Sequence, residues 1–198
     1  MSDSDKVRML LHEGHGFTHR PGKFYMMAKR HAADAITAAP AHWHKEGDDR
    51  AMRYKHVLAA VDVTEEAAEV LAMAREVADE HEAALSVVTV VKPLTQVYGG
   101  LDMVSYTQVS VNFEEEAKAQ AQSQVEALAA QVGIPAGDVH VSIGSPVTQI
   151  VDEAERLGAD IIVVGSHGKH GLGLLLGSTA NGVLHRAGCD VLTIRIKD

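Results

Sequence analysis

Val57-Leu58-Ala59-Ala60-Val61-Asp62-Val63-Thr64 is the stretch that decides the fold. Five apolar residues in succession, with no polar residue alternating among them, do not suit a strand with one wet face. Such a run is buried on both sides, as in parallel sheets covered by helices. Asp62 closes it. From Glu65 to Glu80 the apolar residues Ala68, Leu71, Ala74, Val77 and Ala78 recur at helical spacing. Thr64 is placed to cap that helix, and Glu65 and Glu66 favour its first turn through the helix dipole.

Working outward, the same alternation repeats to the end of the chain. Leu85 to Val91 is a second strand, and residues 92–112, with Pro93, Gly99 and Gly100, read as a long loop. Phe113 to Val132 is helical and is broken by Gly133, Pro135 and Gly137. Val139 to Ile143 makes a third strand. Ser145-Pro146 opens a helix, with a capping serine, proline at the first helical position, and Ile150, Ala154 and Leu157 as the apolar stripe. Asp160 to Val164 is the fourth strand, Ser178 to Arg186 the last helix and Val191 to Ile196 the fifth strand. Strands alternating with helices, joined by crossovers long enough for right-handed connections, define a doubly wound parallel α/β sheet. Ligands of such sheets sit beyond the carboxyl ends of the strands, where the strand order reverses.

Bulk properties narrow the function classes. The chain has 198 residues, 46% of them hydrophobic and 23% charged, which suits one soluble globular domain. A formal net charge of −9 argues against a surface that wraps nucleic acid, which needs basic side chains. A nucleotide pocket is compatible with it, because backbone N–H groups can carry phosphates. The single cysteine, Cys189, leaves no internal disulfide or thiolate-cluster metal site, and a free thiol suits a reducing compartment. No apolar run reaches the length of a membrane span, and the opening residues lack the pattern of an export signal. A cytoplasmic location is expected.

Residues 1–51 differ from the rest. They carry 8 basic and 7 acidic side chains, against 10 and 20 in residues 52–198, and six of the twelve histidines. They are expected to form a flexible N-terminal extension that adds little to the core, with one short helix from Phe24 to Ile36 ending before Pro40. His12, His15, His19, His42 and His44 have chelating spacings, but no completing ligand set is recognisable and no metal site is assigned. His12-Glu13-Gly14-His15 matches an H-x-G-H pattern that belongs after the first strand of an α/β sheet. No strand pattern precedes it, so the match is read as coincidence.

The segment with chemical content is Val163-Val-Gly165-Ser-His-Gly168-Lys-His-Gly171-Leu-Gly173-Leu-Leu-Leu-Gly177-Ser178-Thr179. It runs from a buried strand into a helix. Glycines allow close backbone approach, and the helix-start N–H groups with the hydroxyls of Ser178 and Thr179 can receive phosphate oxygens. It is neither a Walker loop nor a dinucleotide fingerprint. His167 and Lys169 can offer charge to phosphates. Neither a serine–histidine–acid arrangement nor a paired-carboxylate set is assigned, so no catalytic residue is named. Cys189 reads as a buried inert thiol and His185 as a surface residue.

This segment, with Met52 to Thr64 and Cys189-Asp-Val-Leu, strongly resembles the universal stress protein family over residues 52–198. The resemblance implies a five-stranded parallel sheet of order 3-2-1-4-5, adenine-nucleotide alpha-hydrolase-like, with ATP, alone or with Mg2+, across the ends of the first and fourth strands. Asp62 matches the acid that contacts adenosine, with capping of the following helix as its other reading. Val90 would lie by the base, Gly165 and Gly168 around ribose and phosphate, and Gly177, Ser178 and Thr179 at the terminal phosphates. Eight residues, Lys169 to Leu176, separate the second glycine from the closing Gly-Ser, where the family usually has nine. The opening resembles the universal stress protein A type, a branch often without ATP binding.

Three functions follow. The leading one is a cytoplasmic stress-response protein holding ATP as a regulatory ligand. The alternatives are a homodimeric interaction protein of the same fold without nucleotide, and a slow ATPase. The resemblance also places residues 191–196 at a sheet edge, where a homodimer is expected. Protein clients are expected but not identified.

Overall fold

In the computed structural model the described residues are 8–12, 25–29, 54–64, 66–93, 107–166 and 176–194. Seven strands share one sheet: β1 (Arg8–His12), β2 (Tyr25–Lys29), β3 (His56–Ala60), β4 (Ala84–Val91), β5 (Val139–Ile143), β6 (Ile161–Gly165) and β7 (Asp190–Ile194). Among the described residues four α-helices lie between the later strands: α1 (Ala67–His81), α2 (Thr107–Gln131), α3 (Pro146–Leu157) and α4 (Ser178–Arg186). The sheet order is β1-β2-β7-β6-β3-β4-β5.

Strands β3 to β7 are parallel throughout. Counted alone, they have the expected 3-2-1-4-5 order. Their buried runs split by period two. Val57, Ala59, Val87, Ile161 and Val163 face one apolar cluster with Leu71 and Val77 of α1 and Val125 of α2. Leu58, Ala60, Val88, Ile162 and Val164 face the other with Ile150 and Ala154 of α3 and Val183 and Leu184 of α4. Helices therefore cover both faces, which is why these strands lack polar alternation.

Several local expectations change. Helix α1 starts at Ala67 with Glu66 in the capping position, and the Thr64 hydroxyl donates to Glu66 Oε2 at 3.0 Å rather than to a helix N–H. Ser145 caps α3 without a side-chain bond. Its carbonyl accepts the Gln149 N–H at 2.9 Å, and Pro146 fills the first turn, where its missing N–H costs nothing. Helix α2 extends back to Thr107 into the stretch read as loop.

The larger correction lies in the N-terminal extension. The helix expected from Phe24 to Ile36 is not formed at its start, because Tyr25–Lys29 is a strand. It pairs antiparallel with β7 in the register Tyr25↔Ile194, Met26↔Thr193, Met27↔Leu192 and Ala28↔Val191. Backbone pairing with an available edge overrides helical spacing here. A strand does precede His12 after all, since β1 pairs antiparallel with β2. It is the outermost strand, not the first parallel one, so H-x-G-H lacks the setting that its match requires. The β7 edge expected to be open for a second copy is thus occupied by the chain's own β2.

Candidate functional site

The strand order reverses between β3 and β6, whose successors β4 and β7 lie on opposite sides. At the carboxyl ends of these strands is a cavity of about 400 Å³, within the size range of small-molecule sites. β3 contributes Ala60 and, past its end, Val61 and Asp62. β4 contributes Val88 and Val90, followed by Lys92, and β6 contributes Val164 and Gly165, followed by Ser166. Gly177, Ser178 and Thr179 bring in the amino end of α4, while Pro146 and Ile150 of α3 and Val70 of α1 close the apolar walls.

Local bonding fixes the strand ends. The Val61 N–H donates to the Val88 carbonyl oxygen at 3.0 Å, prolonging the β3–β4 pairing by one residue. The buried Thr89 hydroxyl donates to the Val61 carbonyl oxygen at 2.8 Å. The Thr64 N–H donates to the Asp62 carbonyl oxygen at 2.9 Å, turning the chain so that the exposed Asp62 stands on the cavity rim. On the opposite side the Ser166 N–H donates to the Ile194 carbonyl oxygen at 2.7 Å, and the Gly177 N–H donates to the Ser166 carbonyl oxygen at 2.6 Å.

Helix α4 begins with Gly177 in the capping position at ψ 154° and no side-chain cap. The first helical carbonyl bond is Asn181 N–H to Gly177 O at 2.9 Å. The N–H groups of the first turn precede that bond and have no intrahelical acceptor, and their dipoles sum to partial positive charge beside the cavity. This end of the cavity suits an anion. Val88, Val90 and Ile150, also in its lining, offer apolar surface to a flat group.

Six of the seven residues singled out from the sequence, Asp62, Val90, Gly165, Gly177, Ser178 and Thr179, line this one cavity. Gly168 lies outside the described residues, as do His167 and Lys169. Cys189 is partly buried against the α3–α4 cluster and His185 is exposed. Lys92, Thr64, Glu66 and Ile150 were not anticipated at the cavity. Lys92 is the one basic side chain among its described lining residues. Its only sequence signal is its place immediately beyond a strand that ends near the switch point. Among the described residues no group of three or more metal-ligating side chains occurs, and no helix is long and apolar enough to cross a membrane.

The fold and cavity define a doubly wound α/β protein with a recess of small-molecule size at its switch point. The universal stress protein family model matches residues 53–195. Universal stress protein A homolog 1 of Coxiella burnetii is 40% identical over 147 residues, which are 74% of this chain and all of that one. Universal stress protein UspA from Lactobacillus plantarum superposes with a TM-score of 0.61 at 26% identity, covering 73% of this chain and 99% of that one. The hypothetical protein MJ0577 superposes at 0.62 and 25% identity, covering 74% and 99%. The chain belongs to the universal stress protein family.

Proposed function

We propose that this chain is a cytoplasmic stress-response protein that binds ATP in the β3/β6 recess and holds it as a regulatory ligand. The observation that supports this most is the mixed lining of the recess, which brings the helix-start N–H groups and the hydroxyls of Ser178 and Thr179 together with the apolar side chains of Val88, Val90 and Ile150. Triphosphate goes to the helix start, with Gly165 and Gly177 leaving room for close backbone approach. The base lies against Val90, and Asp62 on the rim accepts from the ribose hydroxyls. Mg2+ would fit as an ion carried in on the phosphates, since it retains several waters and needs one or two carboxylates, one of which Glu66 on the wall would supply. It would neutralise phosphate charge there.

Titration calorimetry with Mg-ATP tests the reading. Saturable binding near one per chain is expected. Ser178→Pro removes one N–H and the hydroxyl at a helical position that tolerates proline, so affinity should fall about tenfold, as for loss of a charge-assisted hydrogen bond. A folded wild-type chain that does not bind below millimolar concentration rejects ATP as the ligand. In the same reading the protein acts on protein clients, and a homodimer forms through residues 191–196 when that edge is free. That edge carries β2 in this structure, so assembly depends on what the hairpin does.

A further inference from the structure

The geometry points to the β1–β2 hairpin as a releasable plug on the β7 edge: docked, it holds the chain as a monomer, and released, it lets β7 of two copies pair antiparallel. Strand β7 is the last of the parallel strands, bonded to β6 on one side. Its other side would present a row of free N–H and C=O groups, the usual template for adding a strand. Here β2 fills that row over four consecutive register pairs, Tyr25↔Ile194 to Ala28↔Val191. β1 then covers the far side of β2 over five more, Arg8↔Lys29 to His12↔Tyr25.

Three observations make the hairpin a separable cover. It is antiparallel while β3 to β7 are parallel, and it precedes the doubly wound unit in sequence rather than forming one of its crossovers. The family match begins at residue 53, and the Coxiella burnetii relative is matched along its whole length by 74% of this chain. The parallel unit is therefore sufficient for a folded protein, and the hairpin is an addition to it. Finally, a two-stranded hairpin is marginal by itself, so its order depends on the β7 ladder.

Competition for the edge follows from tethering. A strand on the same chain acts at an effective concentration of about millimolar, well above a second copy at micromolar concentration. The hairpin wins while it is attached and intact. The free partner that fits the vacated edge is another β7. An antiparallel pair of identical strands about a two-fold axis fills both edges at once and closes the assembly. The outer groups of β7 thus have two mutually exclusive partners, β2 of the same chain or β7 of another.

Sedimentation equilibrium at micromolar concentration, with hydrogen exchange of the β7 amides, tests this on three proteins: the full chain, full-length Met27→Pro, and the chain beginning at Met52. Met27 lies in a strand bonded on both sides, so proline there removes a ladder donor and cannot be accommodated as at an edge. The full chain is expected to be monomeric with protected β7 amides. Met27→Pro and the shortened chain are expected to dimerise at least about tenfold more tightly, with β7 still protected in the dimer. Circular dichroism confirms folding of each. If both altered proteins stay monomeric, β7 does not self-associate and the proposal fails. If the full chain dimerises as tightly as they do, the hairpin does not gate the edge. If the full chain dimerises and the shortened chain does not, the hairpins are exchanged between copies and act as the interface itself, which also overturns it.

Discussion

The Gly177 N–H donates to the Ser166 carbonyl oxygen at 2.6 Å, joining the two ends of the glycine-rich segment at the mouth of the cavity. Ser166 is itself held by its N–H on the Ile194 carbonyl oxygen. The entry and exit of the loop are thus set by the β6–β7 ladder and α4, not by the number of residues between them. The spacing of eight where the family usually has nine therefore need not move the helix start. Gly177 has φ −57°, an angle proline adopts, so Gly177→Pro removes this N–H without forcing the backbone. Stability should fall by about 1 kcal/mol in chemical denaturation, and nucleotide affinity should fall with it.

Thr89 acts through Val61. Its hydroxyl is buried and is the donor for the carbonyl at the end of β3. Thr89→Val keeps the shape and leaves that carbonyl unsatisfied, so unfolding should cost about 1–3 kcal/mol less, whereas Thr89→Ser should lose less because it keeps the hydroxyl. Thermal unfolding of the two variants side by side gives the comparison.

Gly182 is required by the approach of α3 to α4. A Cβ built there would lie 2.5 Å from Val147 Cγ2. Glycine to alanine inside a helix ordinarily stabilises by up to about 1 kcal/mol, but a β-branched neighbour at this distance cannot swing aside cheaply. Gly182→Ala should destabilise by about 1–3 kcal/mol, as overpacking does. Adding Val147→Ala should return part of that loss, a sign reversal that a double-mutant cycle reads directly.

Glu153 lies on α3 with its carboxylate accepting from Arg156 Nε at 2.9 Å and standing 3.3 Å from His140 Nδ1. The Arg156 hydrogen bonds hold the Glu153 carboxyl below its ordinary range, with burial opposing and the His140 charge assisting. A depressed carboxylate contributes stability above its unfolded value, and that contribution is lost as pH falls through the folded one. The Tm difference between wild type and Glu153→Gln should therefore be largest near neutrality and shrink below about pH 4.

Much of this was legible from residues because the parallel strands are short apolar runs bounded by glycine, proline or charge, and burial on both faces leaves no other use for them. Val57–Val61 and Asp160–Val164 are read within a residue or two of their observed ends. The hairpin was not legible. Arg8–His12 and Tyr25–Lys29 are five residues each, too short for period to decide between helix and strand, and what orders Tyr25–Lys29 is an edge more than 160 residues away in sequence. Helix α2 was cut short because Thr107, Ser110 and Asn112 have the composition of a loop. At the cavity, glycines and hydroxyls announced their segment, whereas Lys92 carries no motif.

The pairing of β2 with β7 joins nearly the first structure to be made with the last. During synthesis the hairpin is made before the other described strands, and its partner β7 is the last of them. β3, at the centre of the parallel unit, likewise waits for β6, about a hundred residues later. The β4–β5 flank of β3 can pair once residue 143 is made, but the β6–β7–β2 flank stays unsatisfied until β7 is made. Translation products that stop before β7 should be more prone to aggregation than the full chain, because the sheet becomes self-contained only once β7 is made.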